Sequence, residues 1–333
     1  MKKVFCLVIV LLSGCQAAKD GKSHSSMFDD QHEPKVVVVV SVDWEGRDLS
    51  DANLAKMEQF RRDFPDVGLL HFLNAAYYYK PGANPSQINA KIRRTLTPDD
   101  ELGLHIHSWK RLIEAAQVTH RTTPTWWEST DAPLSNCAQD CGHEVPLSAY
   151  DVNEIRKIVR FSNKTLAKQG FGRPRTFRTG GWMAYPNVIE ALVLEGFTID
   201  SSAVPAQFLK PKLGSYYLYK WADELWDETA PTSQPYRLGE SGRQLNELPD
   251  NGCLADYMTS DQMLEVFKKN ADAFKAGKGR EDVFVTIGFH QETADSYLQN
   301  VVDAIHKIEA YSQQNHIPLE FARFPLGLNY RGL

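Results

Sequence analysis

Four short stretches hold residues whose types and spacing could do chemistry. Asp43 and Glu45 stand two apart at the end of the valine run from Lys35 to Val42. His105 and His107 repeat that spacing in Glu101-Leu102-Gly103-Leu104-His105-Ile106-His107. Arg178 precedes Thr179-Gly180-Gly181-Trp182, and His290 follows the apolar run Val283 to Phe289. Side chains alternate along an extended chain, so residues two apart share a face. One strand end then presents two carboxylates and another presents two imidazoles. Two imidazoles and a carboxylate make a three-ligand site with room for a water, the pattern of catalytic zinc. An arginine can hold a carboxylate through two parallel hydrogen bonds. A histidine at a strand mouth is a natural general acid. Each stretch read singly also has a structural reading: a strand running into a polar loop, a surface turn, or a satisfied core histidine.

Such groups need rigid elements to carry them. A near-continuous β-branched run marks a strand buried on both faces, as in parallel sheets. Further strands are expected over residues 67–72, 101–107, 176–178, 197–201, 244–248, 283–289 and 319–324. Between them, Ser50 caps a helix to about Asp63 with Leu54, Met57 and Phe60 inward. Ile88, Ile92 and Leu96 mark a helix over 85–96, and others are expected at 151–169, from Pro186, at 260–274 and at 295–313. Residues 214–238 are aromatic-rich and irregular, and read as a small β excursion. Alternation of this kind argues for one α/β domain with a mostly parallel sheet, closed or nearly closed into a barrel. An open doubly wound sheet fits the same alternation, but no glycine-rich phosphate loop follows the first strand.

The chain has 333 residues, a net charge of -5 and 24% charged residues, a soluble globular composition with no basic field for nucleic acid. Nothing in it signals a protein partner. The N-terminus differs: Lys2 and Lys3 precede the apolar stretch Val4 to Leu12, too short to span a bilayer but suited to a signal peptide. Leu12-Ser13-Gly14-Cys15 resembles the lipobox of bacterial lipoproteins. That resemblance implies a signal over 1–15, lipidation of Cys15, a flexible tether over 16–34, and export to the cell envelope on a lipid anchor. Gln16 after the cysteine favours an outer membrane where a cell has two. Cys137 and Cys141 suit a local disulfide in an oxidising compartment, and His143 beside them makes a zinc knuckle conceivable. With Cys253 the count is odd, so a thiol stays free unless Cys253 takes part in the pairing.

Taken in order from Pro34 to the C-terminus, these motifs resemble those of the polysaccharide deacetylases, the NodB-homology or family 4 carbohydrate esterase group. The resemblance implies an irregular (β/α)7 barrel over 35–333 as a single catalytic domain. It implies removal of N-acetyl groups from an acetylated glycan with a divalent metal, usually zinc. Carried over, Asp43 is the base, Arg178 orients it, His290 protonates the leaving group, and Glu45, His105 and His107 hold the metal. A second assignment makes both Asp43 and Glu45 ligands. Three departures stand out. Trp44 separates the two carboxylates, Trp109 occupies the usual place of the second histidine, and glycines follow Arg178 where a proline is common. Trp109 and Trp182 are expected to contact substrate. Two rival readings are a non-sugar amide hydrolase on the same barrel and a carbohydrate-binding lipoprotein whose site has decayed.

Overall fold

The valine run becomes β1 (Val36–Asp43), buried along its whole length. Val36, Val38, Val40 and Val42 pack into the large cluster shared with the helices. Val37 and Val39 join a smaller cluster with Leu70, Phe72 and Leu248, on the inner side of the sheet. A strand covered on both faces needs apolar residues on both, so the run is continuous. Ser41 and Asp43 extend the inner row to the strand's C-terminal end, which is where chemistry can meet solvent. The structure, a computed structural model, describes residues 33–127, 140–240 and 242–324. Cys15, the tether up to residue 32 and Cys137 lie outside the described residues.

Eight more strands follow: β2 (Leu69–Asn74), β3 (Glu101–Ile106), β4 (Thr176–Thr179), β5 (Ile199–Asp200), β6 (Tyr236–Glu240), β7 (Arg243–Glu247), β8 (Val283–His290) and β9 (Leu319–Phe321). Six of them and β1 pair in parallel in the order β7-β5-β4-β3-β2-β1-β8. The β6 strand adds to β7 as an antiparallel hairpin arm, and β9 pairs with the start of β1. The outer edges, β7 and β8, are joined by an irregular segment. There the Gly252 amide donates to the Thr286 carbonyl at 2.8 Å and the Ala255 amide to that of Gly288 at 2.8 Å. The Asn251 side chain donates to the Phe284 carbonyl at 2.9 Å and accepts from the Thr286 amide at 2.8 Å, standing in for a missing strand. The fold is the irregular (β/α)7 barrel expected from the sequence, and the irregularity lies in this segment.

Helices cover the outside and obey their caps. Ser50 accepts from the Asn53 amide at the start of Asp51–Asp63, with Leu54, Met57 and Phe60 buried. Asp151 and Glu154 form a reciprocal capping box on Val152–Lys168. The helix from Pro85 ends at Arg93, short of the expected Leu96. Of the β excursion expected over 214–238, only the end is strand, where β6 begins at Tyr236; the first part is corrected to a helix, Tyr217–Leu225, that buries Leu218 and Ala222 four residues apart. Aromatic richness suggested strand, but burial of one face at helical spacing decided the outcome. From Pro34 onward the chain forms one compact unit.

Candidate metal centre and catalytic site

Five strand ends deliver the site. Asp43 stands in register with Phe72 on β2 and His290 on β8, and His105 in register with Asn74 and Arg178. Glu45 and His107 follow as the next inward residues beyond their strands. The Glu45 carboxylate is the hub. Its Oε1 lies 3.2 Å from His105 Nε2 and 3.6 Å from His290 Nε2. Its Oε2 lies 2.9 Å from His107 Nε2 and 2.6 Å from His143 Nε2. Two sets of ligand atoms lie within 4.8 Å of one another: Glu45, His107 and His143, and Asp43, Glu45 and His105. The structure thus brings the sequence-expected Glu45, His105 and His107 onto one carboxylate and adds His143.

Backbone carbonyls set the imidazole tautomers. His105 Nδ1 sits 2.8 Å from the Arg178 carbonyl and His107 Nδ1 sits 2.9 Å from the His143 carbonyl. A carbonyl only accepts, so each Nδ1 carries a proton, and each Nε2 is the nitrogen left to face Glu45, through its own proton or through a lone pair. His107 Nε2 has no hydrogen-bond partner although it is fully buried. Lone pairs facing a carboxylate across about 3 Å call for a cation or a proton between them. Histidines whose other nitrogen donates to a carbonyl are the usual geometry of metal ligation. The donor set of imidazole nitrogens and one carboxylate suits zinc. Burial opposes ionisation of Glu45, but the surrounding imidazoles outweigh it and hold the carboxyl well below its ordinary range. Burial pushes His107 down and His143 down further, toward the neutral form a metal requires, whereas for His105 the Glu45 hydrogen bond and the Asp43 and Glu45 charges outweigh burial and hold it up.

On the inner side, Arg178 is fully buried among acceptors. It donates to Asp43 and Ser41 at 3.0 Å each, to the Ser201 hydroxyl at 2.9 Å and to the Ser201 carbonyl at 2.7 Å. Its other end lies 3.4 Å from Asp250, whose second oxygen accepts from the Trp182 indole at 3.0 Å. Burial pushes the Asp250 carboxyl up to about 6 despite the nearby arginine. On the outer side, His290 Nδ1 lies 2.9 Å from Asp256, which also accepts from the Thr293 hydroxyl at 2.7 Å. Burial would lower His290, but the Asp256 charge prevails and holds it up to about 10. His290 is therefore an imidazolium at neutral pH. Glu292 accepts from the Glu45 and Arg47 amides at 3.0 and 3.2 Å and from the Tyr77 hydroxyl, fixing the turn that carries Glu45.

The remaining expected residues have definite places. Trp109 is 8% exposed and donates to the Glu45 carbonyl at 2.8 Å, with the Lys80 ammonium over its ring. Trp182 is 4% exposed and bonded to Asp250. Gly180 must be glycine because a Cβ there would stand 2.5 Å from the His107 ring. Asp200 lies apart from the Glu45 hub, accepting from the Ser202 hydroxyl at 2.9 Å and pairing with Glu247. Cys141 is disulfide-bonded and Cys253 is free and buried. Sequence reasoning missed Asp250, Asp256 and Glu292. The acidic cluster Asp250 to Asp256 after the last central strand was the available signal. It assigned His143 only to a conceivable knuckle.

No protein-family model matches the chain, and no curated protein does. Solved structures do. A candidate polysaccharide deacetylase from Mycobacterium smegmatis is 13% identical, with 84% of this chain and 85% of that one covered and a TM-score of 0.47. The Puue allantoinase is 13% identical over 88% of this chain and 89% of its own, with a TM-score of 0.49. A family 4 carbohydrate esterase from Streptomyces lividans in complex with acetate is 12% identical over 85% and 90%, with a TM-score of 0.38. The solved structures to which this chain is similar thus include polysaccharide deacetylases and family 4 carbohydrate esterases.

Proposed function

We propose that this chain is a metal-dependent hydrolase that removes N-acetyl groups from a glycan of the cell envelope or its surroundings. The observation that carries the reading is the pairing of opposites around Glu45. Asp43, tied to a buried arginine, stands on one side, and the imidazolium of His290, tied to Asp256, stands on the other. Glu45, His105 and His107 are the residues that would hold the metal. When bound, zinc polarises a carbonyl and lowers the pKa of its water toward ~7. Asp43 accepts the proton of the attacking water, and Arg178 fixes its orientation. His290 gives its proton to the departing nitrogen. That step favours an amide over an ester, since an amine leaves poorly unless protonated.

The glycan assignment rests on two further features. The Leu12 to Cys15 lipobox resemblance implies export on a lipid anchor, where polymeric sugars are found. Trp126 packs against His107 and His143, and the exposed Trp127 beside it meets Tyr216 at 5.2 Å. Trp126 is itself buried, so the exposed Trp127 is the aromatic face beside the centre that a sugar ring could meet. The test is acetate release from N-acetylglucosamine oligomers by the zinc-loaded chain, before and after chelation. Release that chelation abolishes and zinc restores is the expected result. Release that persists in the folded, metal-free chain contradicts the reading, as does failure on every acetylated glycan offered.

A further inference from the structure

We propose that His143 is a metal ligand, supplied by the irregular segment 140–145 rather than by a barrel strand. The inference rests on the proposal that the Glu45 centre holds a cation. His143 Nε2 is the closest imidazole nitrogen to the hub carboxylate, 2.6 Å from Oε2. It belongs with Glu45 and His107 to one set of ligand atoms mutually within 4.8 Å. Its ring lies flat against that of His107, centroids 3.8 Å apart and planes within 8°. What points to a cation is the nitrogens rather than the stacking: the Nε2 atoms of His107 and His143 converge on one carboxylate oxygen at 2.9 and 2.6 Å, and the buried His107 Nε2 has no hydrogen-bond partner, so a shared ion requires the two rings to turn slightly apart. The exposed Arg47 lies 3.3 Å from both nitrogens of His143.

The segment is built to hold the ring there. The Lys110 amide donates to the Cys141 carbonyl at 2.7 Å, the Trp126 amide to that of Glu144 at 3.2 Å, and His107 Nδ1 to that of His143 itself. Gly142 adopts φ +94°, and a Cβ there would stand 2.4 Å from both the Ser108 carbonyl and the His120 ring. Only glycine allows the approach.

The test measures metal, with no substrate. Zinc affinity is read by chelator competition, and cobalt(II) is substituted to report coordination through its visible absorption. Loss of a residue that merely supports a ligand costs 10–100-fold in affinity, so His143→Ala should exceed ~100-fold and alter the cobalt spectrum. His143→Asp, which restores an oxygen donor, should recover part of the loss. Should His143→Ala fail to fold, the soluble His143→Gln carries the same comparison. Unchanged affinity and spectrum in a folded variant overturn the role of His143 and leave the hydrolase reading standing. A wild-type chain that binds neither metal overturns both.

Discussion

Two histidine–carboxylate clusters sit on β2 and its neighbours, and they behave oppositely. Under the helix layer, Asp100 accepts from Arg61 at 2.6 Å and from the Leu69 and Thr97 amides at 2.8 and 2.7 Å. Arg61 also donates to the Thr95 and Val67 carbonyls, and His71 accepts from the Trp44 indole at 3.1 Å. No buried side-chain atom of this trio lacks a partner. At the barrel mouth, four imidazole nitrogens crowd the Glu45 carboxylate, and the buried His107 Nε2 has no hydrogen-bond partner. Buried charge alone therefore does not mark function. What separates the two is whether the hydrogen bonds close: a closed network is structural, and an open one leaves space for a ligand.

Substitutions should break the two clusters differently. Asp43→Asn should lower kcat by about 10²–10⁴, the range of a general base, with a smaller loss of stability than at the other cluster, because the asparagine oxygen can still accept from Arg178. Arg61→Ala should do the reverse, costing about 3–5 kcal/mol of stability by leaving Asp100 charged and unpaired, which denaturant titration reads. Zinc at 100 times its Kd should stabilise the wild type by about 2.7 kcal/mol. Calorimetry should find this lost in His107→Ala and retained in Asp100→Asn.

Acid should separate the clusters again. Burial opposes the Asp100 charge, yet His71 and Arg61 hold its carboxyl down to about 2 from 3.8. Its contribution is complete above pH 3.8 and fades as pH falls toward 2. Asp100→Asn should flatten that limb of the stability curve. The smallest effect expected is that of Trp109→Phe, which removes one bond to the Glu45 carbonyl while Asn74 still donates there at 3.1 Å. A loss of about 0.5–1.5 kcal/mol and a raised zinc Kd would show that Trp109 steadies the hub.

Much of this was legible in the chain because strands write a simple code. The valine run announced β1, and the spacing of Asp43 with Glu45 and of His105 with His107 announced inward pairs. What periodicity does not encode was lost. His143 arrives through a bend at Gly142, 36 residues beyond His107 by number but stacked on it in space. Asp250 and Asp256 ride on the segment that replaces a strand between β7 and β8, which has no alternating pattern to read. Tyr217–Leu225 did carry a signal, Leu218 and Ala222 at helical spacing, but its aromatic residues obscured it.

The central claim is that Glu45 and its imidazoles hold the ion on which hydrolysis depends. Its most direct test titrates zinc into the chelated chain while acetate release from N-acetylglucosamine oligomers and bound metal are followed together. Release should rise in proportion to bound zinc and level off at one ion per chain, and Glu45→Gln should show neither. Release that is already maximal in the folded chain before any zinc is bound would contradict the account.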